Sequence, residues 1–243
     1  VAVLEREVVA FARRVFHADD EVVGTATSGG TESCLLAVKT ARDAWRARGG
    51  SGRPRLIAPT TVHAAFRKAA ALLDLDLDLV SVDPRTSRVD AGAVASRLGP
   101  DVALVVVSAP SYPHAGLDPV AEIAAAALAA GVDVHVDACI GGFALAFWPE
   151  GAAGAPDTEW DFRVPGVTSL SADLHKYGYA PKGVSVLLQR GRDRQRLQWF
   201  ATSSWPGYPV VNATLLGSKS AAPLAAAWAI VTALGEAGVR IAR

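Results

Sequence analysis

Val102-Ala-Leu-Val-Val-Val-Ser108 decides the fold class, because this run is apolar nearly throughout. A strand covered by helices on both faces of a parallel sheet has this continuous hydrophobic character. The next apolar strand candidate, Val132–Asp137, follows a helix candidate, Pro119–Ala130. Asp118 is a candidate cap for that helix, and Gly131 suits its C-terminal stop. The three segments therefore predict the strand–helix–strand alternation of a parallel sheet.

The same alternation extends along most of the chain. Further strand candidates are Arg55–Ala58, Leu79–Val82, Val167–Ser171 and Val184–Gln189. Further helix candidates are an amphipathic stretch over residues 1–16, Thr31–Ala47, Ala64–Leu73, Ala91–Leu98 and Ala221–Leu234. This order predicts an α/β domain with an open, mainly parallel sheet and helices on both faces.

Composition and charge bear on the size of the core and on the partners of the chain. The chain has 243 residues, of which 51% are hydrophobic, and this is enough to bury a large core. Its 24 Lys and Arg residues balance 24 Asp and Glu residues. A neutral chain lacks the basic footprint of a nucleic-acid-binding protein, and we expect no nucleic-acid partner.

Two sequence features bear on the cellular compartment. The longest small-apolar run, residues 120–136, is interrupted by two acids, a glycine and a histidine, so we expect no membrane insertion by this chain. Cys34 and Cys139 are too few for a disulfide framework and are expected to be buried or partly buried free thiols. A reducing cytoplasm is the expected location.

Polar residues that could bind a ligand or take part in catalysis follow several predicted strands, at the place where ligands bind in open α/β sheets. Thr27-Ser-Gly-Gly-Thr-Glu32 precedes a helix, and its glycines allow a phosphate to approach the free amides of the first turn. His63 follows another strand and can stack on an aromatic ring. A simple turn and a helix-capping histidine are the ordinary alternatives.

Two later motifs add an acid and an amine. Asp137 ends the strand Val132–Asp137, and a carboxylate there can keep a pyridinium nitrogen protonated, although it could equally cap the next segment. Lys176 lies in an apolar, glycine-flanked loop beside Ser171, His175 and Tyr177. Partial burial there is expected to lower its pKa, so that a neutral amine can attack an aldehyde.

A further loop, Ser108-Ala-Pro-Ser-Tyr-Pro-His114, offers Tyr112 and His114 as candidate acid–base or substrate-contact groups. Ordinary turn chemistry explains it equally well. A metal hydrolase built from four scattered residues, His63, His114, His135 and Asp137, is a remote alternative. No HxxxH motif or cysteine-pair spacing supports zinc, so no metal site is expected.

The order of these motifs points to pyridoxal 5′-phosphate. This cofactor has a phosphate, a flat ring, a basic ring nitrogen and an aldehyde. The sequence supplies one residue type for each: the glycine-rich helix start, His63, Asp137 and Lys176.

Longer segments resemble the sphingosine-1-phosphate lyase family, a branch of the group II pyridoxal-phosphate decarboxylases. The segments that carry the resemblance are Thr-Ser-Gly-Gly-Thr-Glu-Ser (27–33), His-Ala-Ala-Phe-Arg-Lys-Ala-Ala (63–70), Val-Asp-Ala-Cys-Ile-Gly-Gly-Phe (136–143) and Ser-Ala-Asp-Leu-His-Lys-Tyr-Gly-Tyr-Ala-Pro-Lys-Gly (171–183). The resemblance implies a fold-type-I large domain over residues 1–243, without the family's N-terminal segment and C-terminal small domain. It also implies a homodimer with its active sites at the subunit interface.

The resemblance also implies roles for individual residues. Lys176 carries the cofactor, Asp137 pairs with its ring nitrogen, and His63 stacks on the ring. The other implied cofactor contacts are Gly29, Gly30, Thr31, Ala138, Ser171 and His175. Lys182 is implied to contact the substrate phosphate.

The implied reaction is the retro-aldol cleavage of a phosphorylated long-chain amino alcohol to phosphoethanolamine and an aldehyde. Tyr112, His114 or Lys176 could serve as the base. Two alternatives use the same residues: an amino-acid decarboxylase, and a cofactor-binding domain without turnover. Lys219 stands where the family usually has arginine, so the positive charge is kept but the planar guanidinium group is not.

Overall fold

A seven-stranded sheet forms the centre of the computed structural model, which describes residues 1–149 and 151–241. The strands are β1 (Val22–Thr27), β2 (Arg55–Pro59), β3 (Asp76–Val80), β4 (Val102–Ser108), β5 (Asp133–Asp137), β6 (Ser169–Ala172) and β7 (Ser185–Arg190). They lie in the order β1-β7-β6-β5-β4-β2-β3. In this sheet, β7 is antiparallel to both of its neighbours, β1 and β6, and the other four pairs of described strands are parallel. The predicted mainly parallel sheet is therefore confirmed.

Eight helices and a small hairpin accompany this sheet in the described part of the chain. The helices are α1 (Ala2–Val15), α2 (Gly30–Ala47), α3 (Ala64–Leu73), α4 (Ala91–Ala95), α5 (Val120–Ala129), α6 (Gly142–Ala146), α7 (Arg192–Arg196) and α8 (Ala221–Ile241). The hairpin consists of β8 (Phe200–Thr202) and β9 (Val210–Asn212).

The strand β4 shows why the sheet is covered on both faces. All seven of its residues are buried. Leu104 and Val106 belong to an apolar cluster with α2 and α3, whereas Val105 and Val107 belong to a cluster with α1 and α5. Because successive side chains of a strand point to opposite faces, this one segment contributes to both cores.

The first strand of the sheet, β1, is absent from the sequence-based prediction. Four of its six residues are Gly, Ala or Thr, and the packing around Gly24 leaves no room for a side chain. A Cβ at Gly24 would lie 2.5 Å from Leu188 Cδ2 and 2.7 Å from Val9 Cγ1. The close approach of α1 and β7 therefore requires small residues, which weaken the apolar pattern that identifies strands.

Two local predictions are wrong. The third strand spans Asp76–Val80, not Leu79–Val82, and it pairs in parallel with β2. Its acidic residues interrupt the apolar pattern, but Arg55 forms an ion pair with Asp78 at 2.9 Å that offsets this charge. Asp118 does not cap α5. Its carboxylate is buried and accepts hydrogen bonds from the amides of Ser108 (2.8 Å) and Val89 (3.3 Å), so it holds the end of β4 instead.

Helix α8 contains a segment, Ala221–Gly238, that is long and apolar enough to cross a membrane by length and composition. Core helices of globular proteins pass the same test. Gly235 interrupts the helical backbone with φ of 56° and ψ of −168°. The expectation that this chain does not insert into a membrane stays a prediction.

Candidate active site

The carboxyl ends of the parallel strands meet at one edge of the sheet. Register pairs Ser108 with Asp137 and Asp137 with Ser171, and the antiparallel pairing of β1 and β7 brings Thr27 beside Ser185. A cavity of about 330 Å³ lies at this edge. It is lined by Ser28, Gly29, Gly30, Thr31, Glu32, Cys34, His63, Asp137, Cys139, Asp173, His175 and Lys176.

The glycine-rich loop begins α2 on one side of the cavity. Gly29 has φ of 152°, and a Cβ at Gly30 would lie 2.8 Å from both carboxylate oxygens of Asp173. The loop can therefore approach the opposite wall only because it lacks side chains at these positions. The amides of the first turn of a helix have no intrahelical acceptor, and they suit an anion such as a phosphate.

Glu32 holds this loop in place, a role that the sequence did not indicate. One carboxylate oxygen accepts hydrogen bonds from the amide (2.6 Å) and hydroxyl (2.8 Å) of Ser28. The other accepts from the amide of Leu215 at 2.9 Å. The arrangement ties the helix start to the segment that follows β9.

Asp137 lies at the end of β5 with its side chain buried against the cavity. Burial raises the pKa of its carboxyl group, while the hydrogen bond that it accepts from the amide of Cys139 (3.1 Å) opposes the shift. A cationic ring nitrogen placed beside this carboxylate would offset the cost of burying its charge.

His63 caps α3, as its position before that helix suggests. Its Nδ1 accepts a hydrogen bond from the amide of Ala65 at 3.2 Å, which leaves Nε2 as the protonated nitrogen of the neutral ring. The ring of Tyr112 meets the ring of His63 edge-on, with 5.7 Å between centroids. Tyr112 is 62% exposed and therefore stands at the rim of the site.

Lys176 extends into the cavity from the loop after β6 and forms an ion pair with Asp173, with 2.9 Å between Nζ and Oδ2. Burial alone would lower the pKa of Lys176, but the charge and hydrogen bond of Asp173 outweigh burial and raise it. The expected lowering of this pKa is therefore wrong for this structure. The reason is the carboxylate of Asp173, three residues earlier, which the fold of this loop places against the amine.

His175 also faces the cavity. Its Nδ1 lies 2.8 Å from the carbonyl oxygen of Val184 and donates to it, and its Nε2 lies 3.4 Å from Asp173. The ring is close to the helix start, because a Cβ at Gly29 would lie 3.6 Å from its Cε1 atom. His175 is thus positioned to act together with the first turn of α2.

Besides Tyr112 at the rim, four predicted site residues do not line the cavity. Ala138 and Ser171 are buried within the sheet, where the amide of Ala138 donates to the carbonyl of Ser171 at 2.9 Å. His114 and Lys182 are exposed on neighbouring loops. The roles expected of these four residues stay predictions.

The two cysteines are free and buried, as expected, yet both line the cavity. The hydrogen bond with Cys34, burial and the charge of Asp137 all raise the pKa of Cys139 well above its ordinary value. The sequence did not indicate that Cys34 and Cys139 meet, because Cys34 lies in α2 and Cys139 lies just after β5, far apart in the chain.

The site has a donor set suited to pyridoxal phosphate. Amides at a helix start suit the phosphate, a histidine ring suits a flat face, a buried carboxylate suits the ring nitrogen, and a lysine amine suits the aldehyde. One buried oxygen, Asp173 Oδ1, has no hydrogen-bond partner among the described residues, so the cavity retains capacity for a donor. Fold and site together define a pyridoxal-phosphate-binding domain of fold type I.

Comparison with known families agrees with this class. The sequence profile described as the pyridoxal-dependent decarboxylase conserved domain matches residues 2–202. The chain belongs to this family, and its cofactor is pyridoxal 5′-phosphate.

Two curated relatives are both named sphingosine-1-phosphate lyase. Sphingosine-1-phosphate lyase of Dictyostelium discoideum is 41% identical over 96% of this chain and 44% of its own length. The lyase of Saccharomyces cerevisiae is 40% identical over 97% of this chain and 40% of its own. The chain thus spans less than half of the length of these relatives.

Solved structures of a lyase and of a decarboxylase are also similar to this chain. The sphingosine-1-phosphate lyase of Burkholderia pseudomallei superposes with a TM-score of 0.93 and 39% identity, covering 99% of this chain and 56% of that one. Glutamate decarboxylase of Lactobacillus brevis superposes with a TM-score of 0.86 and 25% identity, covering 99% and 56%. The fold is therefore shared by lyases and decarboxylases.

Proposed function

We propose that the protein is a pyridoxal-phosphate-dependent lyase that cleaves a carbon–carbon bond in a phosphorylated long-chain amino alcohol. The observation that carries this proposal is the similarity to sphingosine-1-phosphate lyases along nearly the whole chain. The products would be phosphoethanolamine and a long-chain aldehyde. The convergence of Lys176, Asp137 and the glycine-rich helix start in one cavity supports the proposal.

Residues on three sides of the cavity would hold the cofactor. The first turn of α2, from Gly30 to Thr31, and His175 would bind its phosphate. His63 would pack against the ring, Asp137 would hold a proton at the ring nitrogen, and the amine of Lys176 would bind the aldehyde. When bound, the cofactor supplies an electron-accepting ring that stabilises the electron pair of the broken carbon–carbon bond.

The protein must also move two protons. One leaves the substrate hydroxyl as the aldehyde forms, and one is delivered to the carbon that bears the amine. Lys176 lines the cavity, and its Nζ lies 5.8 Å from the centre of the Tyr112 ring. The ring of Tyr112 also contacts the ring of His63 at the rim of the cavity. We therefore propose that Lys176 and Tyr112, rather than His114, transfer these protons. Exposed Lys182, in the loop before β7, would meet the phosphate of the substrate.

Product analysis tests the proposal. Purified, cofactor-loaded protein is incubated with a phosphorylated long-chain amino alcohol or with amino acids, and both aldehyde and carbon dioxide are measured. Release of aldehyde that is lost in Lys176→Ala supports the lyase. Release of carbon dioxide without aldehyde favours a decarboxylase, and bound cofactor without turnover on either substrate favours a binding domain. Either of the last two results overturns the proposal.

The proposal includes a homodimer. Support comes from the apolar surface around β8 and β9, where Phe200, Tyr208, Val211 and Leu215 are each more than half exposed. Such a surface is typical of a contact between proteins. The molecular mass in solution, measured by light scattering, distinguishes a dimer from a monomer.

A further inference from the structure

A compact set of sulfur and oxygen atoms lies in the wall of the cavity. The Sγ atoms of Cys34 and Cys139 and a carboxylate oxygen of Asp137 all lie within 4.8 Å of one another. All three side chains are buried. Zinc bonds to cysteine sulfur at about 2.3 Å and to carboxylate oxygen at about 2.0–2.2 Å, so ligands of one zinc ion stand roughly 3.5–4 Å apart. The three atoms can therefore reach one ion with small side-chain adjustments.

Hydrogen bonds from neighbouring groups fix the positions of Asp137 and Cys139. The amide of Cys139 donates to Asp137 Oδ1 at 3.1 Å, which orients the carboxylate. The hydroxyl of Ser171 lies 3.2 Å from Cys139 Sγ and 3.0 Å from Nε2 of His135. Cys34 is fixed in the first turns of α2. Outer contacts of this kind orient the ligands of metal sites.

We propose that Cys34, Cys139 and Asp137 form a binding site for one thiophilic divalent cation, of which zinc is the probe. Two thiolates and a carboxylate match the three protein ligands of an open zinc site, and all three residues line the cavity, from which a fourth ligand could enter. Hard cations such as magnesium prefer oxygen donors and are disfavoured by the two sulfur atoms. Binding releases one proton from each thiol, and Asp173, His63 and Lys176 line the same cavity.

The cation site shares Asp137 with the cofactor site of the proposed function. A cation bound to Asp137 would repel the protonated ring nitrogen, so zinc and cofactor are expected to exclude each other. The site would then make cofactor loading sensitive to thiophilic metals. This consequence rests on the proposed function, whereas direct zinc binding does not.

Zinc binding to the purified chain, stripped of cofactor and kept under a phosphine reductant, tests the site. Equilibrium dialysis should give one zinc per wild-type chain. Cys34→Ala should weaken binding by at least about 100-fold, since even outer-shell losses cost 10–100-fold. Exposed Asp193 provides a matched control, and Asp193→Ala should bind zinc like the wild type. No stoichiometric zinc in the wild type, or unchanged binding in Cys34→Ala, overturns the proposal.

Cadmium provides a second readout that does not depend on affinity. The wild type should show the ultraviolet charge-transfer band of cadmium–thiolate bonds, and folded Cys34→Ala should show less than the wild type. An identical band in both proteins places the cation elsewhere and overturns the site.

Competition completes the test. Zinc should slow the appearance of cofactor absorbance in the wild type but not in Cys34→Ala. If zinc binds through Cys34 yet loading is unaffected, Asp137 is not shared and the three-ligand site is wrong. If the stripped wild type binds zinc but never binds cofactor, the proposed function fails while the cation site stands.

Discussion

Asp173 Oδ2 lies 2.9 Å from Nζ of Lys176, and this ion pair sets the charge of the amine. The charge of Asp173 outweighs burial, so the pKa of Lys176 is raised above its ordinary value. At neutral pH, the amine therefore spends most of its time as an ammonium ion that cannot attack an aldehyde. In the proposed function, this amine must lose a proton before it can bind the aldehyde of the cofactor.

Asp173→Asn should shift the pH dependence of cofactor loading towards lower pH. Removal of an opposite charge at this distance is expected to change a pKa by about 1–3 units. The rate at which cofactor absorbance appears, measured from pH 6 to pH 10, reports the shift. An unchanged profile in a folded variant would show that Asp173 does not control the amine.

Lys176→Ala should abolish the covalent bond to the cofactor. Borohydride converts an imine between lysine and an aldehyde to a stable amine, which peptide mass spectrometry locates. The wild type should carry the modification at Lys176, and Lys182→Ala should retain it because Lys182 is exposed outside the cavity. A reduced adduct that persists in Lys176→Ala would assign the cofactor to a different lysine.

Asp137→Ala should retain bound cofactor but reduce turnover by roughly 100-fold or more, because the ring nitrogen loses the group that keeps it protonated. Cofactor content and turnover are measured on the same sample. Equal losses of both would indicate that Asp137 only helps binding. Turnover at the wild-type level would remove Asp137 from the mechanism.

The sequence predicted the parts of the fold and the site that depend on local pattern. β4 and α3 have the predicted bounds, and His63, Asp137 and Lys176 converge because strand ends share one edge of the sheet. The sequence did not predict the pairing of β1 with β7, which depends on close packing around a glycine. It also missed the interaction of Asp173 with Lys176, because an acid three residues before a lysine has no fixed geometry in a loop.

Gly30→Ala tests how closely the two walls of the cavity approach. The new Cβ would lie 2.8 Å from both oxygens of Asp173 and 3.0 Å from Cys139 Sγ, so one wall must shift. We expect weaker cofactor binding, by about 10-fold for an adjustment costing roughly 1.4 kcal/mol. Equilibrium titration measures the effect. Gly92→Ala in α4, whose Cβ would meet only the side chain of Asp90 at 3.2 Å, is the control.

His135 makes the stability of the fold depend on pH. Its ring is fully buried between the hydroxyls of Ser169 (2.8 Å) and Ser171 (3.0 Å), and burial lowers its pKa to about 3. In the unfolded chain this group binds a proton below about pH 6.5. Between these two values the unfolded state alone is protonated, so stability is full above pH 6.5 and falls as the pH decreases towards 3.

The expected loss from His135 is about 2 kcal/mol at pH 5, at roughly 1.4 kcal/mol for each pH unit below 6.5. Urea unfolding at pH 7.5 and pH 5 measures it. His135→Gln should be less stable than the wild type at pH 7.5 because packing is lost, but its further loss at pH 5 should be smaller by about this amount. Exposed His114→Gln should follow the wild type at both pH values. An equal pH-dependent loss in His135→Gln and the wild type would show that His135 takes up its proton in the folded state as readily as in the unfolded chain.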